Sequence, residues 1–128
     1  MSVPYSDLLG LVEEPGETAP TLVMEFGLHV LGRPGFLHGG AIGGLLEMAA
    51  VGALKQALAG EEGGEGDVRV KPINLTVDYM RGGRDKPTRA RAVVTRLGKR
   101  VANVEAIAWQ DDPDRPIAAA RMNYLIAR

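Results

Sequence analysis

One stretch constrains this chain more than any other. Ala41 to Ala59, AIGGLLEMAAVGALKQALA, holds one acid, one lysine and one glutamine among nineteen residues. Alanine and leucine favour helix, so the segment reads as a helix. Apolar residues fall all round its wheel, which predicts burial on most sides rather than along one stripe. A chain of 128 residues must therefore supply a layer that wraps this helix. A membrane span is the competing reading of nineteen mostly apolar residues. Glu47 would then lie near the bilayer centre at substantial cost, and strand patterns follow directly.

The rest of the sequence provides that layer. Gly60 to Asp67 (GEEGGEGD) reads as a flexible, acidic surface loop. The period then switches to two, with Ile73, Leu75, Val77 and Tyr79 alternating with Asn74, Thr76, Asp78 and Met80. Gly82-Gly83 and Pro87 separate this strand from the next, at about 89–97, and Leu97-Gly98-Lys99 reads as a tight hairpin. A long strand from Lys99 to Gln110, a turn at Asp111–Asp114 and a last strand from Ile117 to Ala127 complete the series. Ahead of the helix, residues 4–11 read as a short apolar start of one helical turn, ended by a breaker at Glu13–Glu17. Thr21–Phe26 reads as a strand that could extend to Val30, and Gly32–Gly35 as a turn. The expected architecture is α+β, one long central helix wrapped by an antiparallel sheet of about five to six strands. The length allows one domain, residues 1–128. Ala102, Ala106 and Ala108 share one strand face, and Ala118 and Ala120 another. Gly43, Gly44, Ala49, Ala50 and Gly52 are read as their counterparts on the helix, letting it approach the sheet closely.

Composition removes several chemistries. There is no cysteine, which excludes disulfides, thiolate metal sites and thiol nucleophiles, and the two histidines, His29 and His38, cannot build a His-rich metal centre. No basic segment followed by an apolar run opens the chain, so the expectation is a soluble, cytoplasmic protein. The net charge of -1 conceals a split. Residues 1–67 carry two basic and ten acidic groups, whereas residues 68–128 carry thirteen basic and six acidic ones. Arg81, Arg84, Lys86, Arg89, Arg91, Arg96, Lys99 and Arg100 bunch together in sequence. Such a run is either a solvated sheet face or a docking patch for phosphates. With a pI of about 6.1 and few aromatics for base stacking, a small phosphorylated ligand fits better than nucleic acid.

Two places could carry chemistry. His38-Gly39-Gly40 enters the long helix, where unpaired N–H groups and the helix dipole can cradle an anion or oxyanion. Gly-Gly could equally serve only as a tight turn. Glu47 lies within the apolar helix, and its neighbours three and four residues away are Gly43, Gly44, Ala50 and Val51, none of them cationic. No intrahelical ion pair silences it, and the small residues leave room above the carboxylate. The alternative is a helix face that reaches solvent or an arginine from the sheet. His38 could orient the loop or a ligand, or be a hydrogen-bonded structural residue, and His29 reads as structural.

These residues together resemble the acyl-CoA thioesterases of the hotdog fold, of the phenylacetate-degradation and 4-hydroxybenzoyl-CoA type. His38-Gly39-Gly40, followed by Leu45 and Glu47, resembles their His-Gly-Gly and Leu-x-Asp/Glu motif. Asn74–Arg81 resembles their second strand, and Arg96–Arg100 their strand-joining turn. The resemblance implies a catalytic group of Glu47, Gly39, Gly40 and His38. In it Glu47 attacks the thioester or activates water, and the Gly39 amide polarises the carbonyl. It implies a homodimer that completes the site, often doubled to a tetramer, with no cofactor beyond the coenzyme A of the substrate. Neither nucleic acid nor membrane is an expected partner. The basic cluster, Arg81, Arg84 and Lys99 among it, would meet the coenzyme A phosphates. Val51 and Leu54, with Met48 and Leu58, would form an apolar lining for a small aryl or medium-chain acyl group. Gly32 stands where relatives often carry Asn or Gln, Val51 where some have Thr, and Pro72 near the place of a Ser. The alternatives are a non-catalytic acyl-CoA-binding protein and a 3-hydroxyacyl dehydratase. The dehydratase reading rests on His29 and Gly32-Arg33-Pro34, but eighteen positions separate His29 from Glu47, a longer spacing than those enzymes show.

Overall fold

The computed structural model describes residues 4–15, 19–61 and 68–127. A short helix α1 (Pro4–Leu9) leads into strands β1 (Leu11–Glu14) and β2 (Thr21–Met24). A 3-10 turn at Leu28–Val30 and a small hairpin, β3 (Leu31–Arg33) and β4 (Phe36–Leu37), precede the long helix α2 (Gly39–Ala59). Four strands follow, β5 (Arg69–Tyr79), β6 (Thr88–Leu97), β7 (Val101–Trp109) and β8 (Ala118–Ala127). They join β1 and β2 in one antiparallel sheet of six strands, ordered β1-β2-β6-β7-β8-β5. The expected architecture of one helix wrapped by an antiparallel sheet is the one observed. Most of the acidic loop expected at Gly60–Asp67, residues 62–67, lies outside the described residues.

Alanines set the distance between helix and sheet. Ala90 and Ala92 on β6, Ala102, Ala106 and Ala108 on β7, and Ala118 and Ala120 on β8 are none of them more than 2% exposed. Facing them, α2 buries Ala49, Ala50 and Ala53 together with Leu45, Leu46 and Leu54. A methyl group on each partner lets the backbones approach closely while still excluding water. The glycines of α2 do not share this role, contrary to the sequence reading. Gly44 lies under the Tyr5 ring, Gly43 faces the Tyr79 hydroxyl, and a Cβ on Gly52 would meet nothing within 4 Å. Helix α2 is long and apolar enough to cross a membrane, yet 56% of its most apolar window is buried inside this structure.

Other departures from the sequence reading have local causes. β1 forms where only a helical turn and a breaker were expected, because Leu11–Glu14 finds a full antiparallel partner in β2. Its acidic side chains sit at the sheet edge, where Glu14 pairs with Arg89 of β6 at 3.2 Å. That hydrogen bond and the charge of Glu14 hold the guanidinium above its usual range. β2 stops at Met24 rather than reaching Val30, since the Val30 N–H turns back to the Gly27 carbonyl at 3.1 Å. Register shifts lie between Pro72 and Asn74 in β5 and between Val94 and Arg96 in β6. Beside them an asparagine ladder crosses the outer face. Asn103 donates to Asn123, and Asn123 donates to Asn74 at 2.9 Å, pinning three strands in register.

The β3–β4 hairpin delivers the chain to α2. Gly35 turns it in the left-handed region (φ 81°), where other residues are strained. His38 N–H donates to Val30 C=O at 2.8 Å and Leu37 N–H to Gly83 C=O at 2.9 Å, so the hairpin is held from both sides. Gly32 lies so close to the helix entrance that a Cβ there would stand 3.0 Å from His38 Cα and 3.1 Å from its nitrogen. A side chain of the kind relatives carry at this place has no room without moving backbone.

Two outcomes follow for stability. Ala106→Leu should lower the unfolding free energy by about 1–3 kcal/mol through overpacking, measured by denaturant titration against wild type. Gly32→Asn should be destabilised by about 1–3 kcal/mol, rather than gain a useful polar group. A wild-type midpoint in either variant would show that α2 or its entrance hairpin is looser than described.

Candidate active site

The residues of α2 that do not face the sheet form an open strip. Gly40, Gly43, Glu47, Met48, Val51, Gly52 and Lys55 are all at least partly exposed along it. β5 borders the strip on one side and α1 on the other. From β5, the Tyr79 ring stands over Gly39, and its hydroxyl lies 3.6 Å from where Gly43 would carry a Cβ. From α1, the Tyr5 hydroxyl lies 2.6 Å from the corresponding point at Gly44. The room expected above Glu47 is thus partly taken by two tyrosines. Neither was legible as a site residue. Tyr79 continues the inward parity of Leu75 and Val77, but its meeting with Gly39 joins positions forty residues apart.

The first turn of α2 uses its amides unequally. His38 is the N-cap, and its Nδ1 accepts the Gly40 N–H at 2.9 Å. This bond requires a lone pair on Nδ1, so the proton of the neutral ring sits on Nε2. The Ala41 and Ile42 N–H groups donate to the His38 carbonyl at 3.0 and 3.2 Å. Among the described residues, none accepts from the Gly39 N–H. Of the pair read from the sequence, Gly39 therefore offers an open donor, whereas the Gly40 amide is committed to the cap. The cap also explains why α2 begins at Gly39 rather than Ala41.

Glu47 is half-buried and, among the described residues, has neither an ion pair nor a side-chain hydrogen bond. No arginine of the sheet reaches it. Its charge is felt by Tyr124 of β8, a fully buried phenol whose hydroxyl donates to Met122 Sδ at 3.4 Å. Burial first, and the Glu47 carboxylate second, push the Tyr124 phenol well above its ordinary value, so it stays neutral. Beyond Glu47 the strip opens into a groove of about 350 Å3. Met48, Val51, Leu11 and Leu22 give it apolar walls, with Asp7, Glu13 and Lys55 at the rim. Leu54 and Leu58, expected in such a lining, are instead 0% and 5% exposed, because their positions on the helix turn them into the core.

The basic run divides. Arg81 and Arg84 line a depression of about 360 Å3 with Arg115, Lys86, Asp111 and Asp112. Within it the Lys86 ammonium is already paired with Asp111 at 2.7 Å. The guanidinium carbons of Arg33 and Arg84 lie 4.2 and 4.5 Å from the centre of the Phe36 ring, fixing Arg84 beside the entrance hairpin. Lys99 lies at the other end of β6, whose ten residues span roughly 33 Å. The structure brings Arg81 and Arg84 together and leaves Lys99 apart from them. His29 serves structure, with Nε2 3.2 Å from the Leu9 carbonyl. Among the described residues no cluster of three or more His, Asp or Glu side chains could hold a metal ion.

Comparison with known proteins places this geometry. No curated protein sequence matches the chain. The profile of the thioesterase superfamily matches residues 34–117, well over half of the sequence. Among solved structures, a protein from Chromobacterium violaceum is 34% identical, with a TM-score of 0.72 over 99% of this chain and 85% of that one. A phenylacetic acid degradation-related protein from Ralstonia eutropha is similar in fold at 22% identity, with a TM-score of 0.78 over 98% and 92% of the two chains. A Bacillus halodurans protein whose structure holds CoA shares the fold at 19% identity, with a TM-score of 0.81 over 99% and 78%. Strand β4, the capped helix with Glu47 and strands β5, β6 and β7 lie within the matched region, and the chain belongs to the thioesterase superfamily, as a thioester hydrolase of the hotdog fold.

Proposed function

We propose that this chain hydrolyses acyl-CoA thioesters, with Glu47 as the catalytic carboxylate and the Gly39 amide as the oxyanion donor. The observation that carries this reading is the state of α2. One helix presents a half-buried carboxylate with no partner among the described residues, and a first-turn N–H that nothing there accepts. Thioester hydrolysis needs little more. Water adds to the carbonyl carbon as Glu47 takes its proton, or the carboxylate adds first and water then cleaves the resulting anhydride. Negative charge collects on the carbonyl oxygen, where a fixed N–H stabilises it, and the C–S bond breaks to release the CoA thiolate.

The helix also sets how the two groups meet. Eight residues of rise place Gly39 and Glu47 about 12 Å apart along α2, farther than one glutamate side chain reaches. A single carbonyl held by both groups therefore calls for Gly39 of one copy and Glu47 of another. Two features favour such pairing. β5 is an edge strand of eleven residues, and Leu75 and Tyr79 remain 40% and 54% exposed on the helix side of the sheet. A second copy laid along β5 would cover both. Arg81 and Arg84 suit the phosphates of CoA, as charged forks beside the helix entrance. Lys99 could reach the same CoA only from another copy. Met48 and Val51 suit an apolar acyl group, and the CoA held by the Bacillus halodurans protein supports the ligand class.

A non-catalytic acyl-CoA-binding role is the second reading, favoured by the absence of a side chain at Gly32 and of a hydroxyl at Val51. Against the dehydratase reading, His29 turns its Nε2 to the Leu9 carbonyl at 3.2 Å.

Release of CoA thiol from a panel of aryl and alkyl acyl-CoAs tests the proposal. Glu47→Gln should lower kcat by about a hundredfold or more while CoA still binds. Gly39→Pro removes the N–H and should keep its fold, because position 39 opens α2 after an extended His38 (ψ 132°) and the added Cβ would meet only the Tyr79 ring at 3.6 Å, an ordinary contact. Its kcat should fall by about ten- to a hundredfold. Undiminished turnover by folded Glu47→Gln would sink the mechanism, and CoA binding without any turnover would favour the second reading. Arg81→Ala and Arg84→Ala should raise KM, with a difference from wild type that shrinks as salt is added.

A further inference from the structure

The Tyr79 hydroxyl has no part in the chemistry described so far, yet it touches the site. It donates to the Gly39 carbonyl at 2.8 Å from a strand forty residues away in sequence. That carbonyl and the Gly40 N–H belong to one peptide group, and the Gly40 N–H is held by His38 Nδ1 at 2.9 Å. The peptide plane between Gly39 and Gly40 is therefore gripped at both ends by side chains. Such a grip matters here more than elsewhere in the helix. Two glycines in succession have no Cβ to restrict their dihedrals, and a first-turn peptide lacks the full set of helical hydrogen bonds. The Gly39 N–H lies on the preceding peptide, whose His38 carbonyl is held by the Ala41 and Ile42 N–H groups. Gripping the next plane across the Gly39 Cα leaves that glycine little freedom to swing its N–H. The tyrosine is 54% exposed in this chain, and its hydrogen bond is an exposed one. Its contribution is to aim rather than to bulk stability.

We infer that Tyr79 is a positioning residue: through the Gly39 carbonyl it fixes the peptide that aims the Gly39 N–H at the thioester oxygen. The inference rests on the thioesterase reading of α2. It also gives the site a further polar side chain beside Glu47 and His38, despite the bare glycine at position 32.

Tyr79→Phe is the discriminating variant, because it keeps the ring over Gly39 and Gly43 and removes only the hydroxyl. Acyl-CoA hydrolysis should lose about tenfold in kcat, with KM and melting temperature close to wild type. In 15N-glycine-labelled protein the Gly39 and Gly40 amide resonances should move and exchange faster, while glycines remote from α2 stay in place. Combined with Gly39→Pro, the loss should be less than the product of the two single losses, since both act on one donor. Glu47-dependent turnover unaffected by Tyr79→Phe overturns this inference alone. So does a fall in kcat with unmoved Gly39 and Gly40 resonances, or one that accompanies disturbance of glycines throughout the fold. A wild-type chain that releases no CoA from any substrate overturns the thioesterase reading and this role with it.

Discussion

The close seating of α2 on the sheet through facing methyl groups is the contact on which the rest of the molecule depends. Seven alanines on β6, β7 and β8, none more than 2% exposed, meet Ala49, Ala50 and Ala53 of the helix. Interiors are packed densely enough that even one added methylene there would lift the helix. Lifting it would separate Tyr79 from Gly39 and loosen the hairpin that carries His38 to the helix entrance. The same seating fixes which side of α2 is left uncovered. The uncovered strip carries Glu47, and the N-terminal end of the helix carries the open amide.

Much of this was legible in the sequence, and what was not shares a physical cause. The helix over 41–59 and the strands after it are periodic over many residues, and periodicity reports burial directly. The six-stranded antiparallel sheet lies at the upper end of the expected count because β1 was missed. Its four residues carry two glutamates, and nothing local marks them as a strand apart from pairing with β2. Small residues were recognised as a packing device, but composition alone did not separate alanines facing the sheet from glycines facing tyrosines. Leu54 shows the same limit in reverse. It looked like a lining residue beside Val51, yet its position on the helix sends it into the core at 0% exposure.

The candidate site divides along similar lines. Glu47, His38 and Gly39 stand out locally, through a lone charge in an apolar helix and a glycine pair at its start. What those residues do with their hydrogen bonds depends on partners distant in sequence. Gly40 is spent on the cap, and the Gly39 carbonyl is claimed by Tyr79 from β5. The arginines that crowd together in sequence separate in space, because a strand of ten residues carries Lys99 far from Arg81 and Arg84. Proximity along the chain is a poor guide to a charged patch when an extended strand intervenes.

The polarisation of the substrate carbonyl can be observed without turnover. An acyl-CoA labelled with 13C at the thioester carbon, bound to Glu47→Gln, places the carbonyl against the Gly39 amide while hydrolysis is stalled. The carbon resonance should move downfield of its position in free acyl-CoA, and the displacement should disappear when Gly39→Pro, which removes the N–H, is added. A saturated complex whose carbonyl keeps its free-solution shift would remove Gly39 from the mechanism, leaving α2 as a scaffold for Glu47 alone.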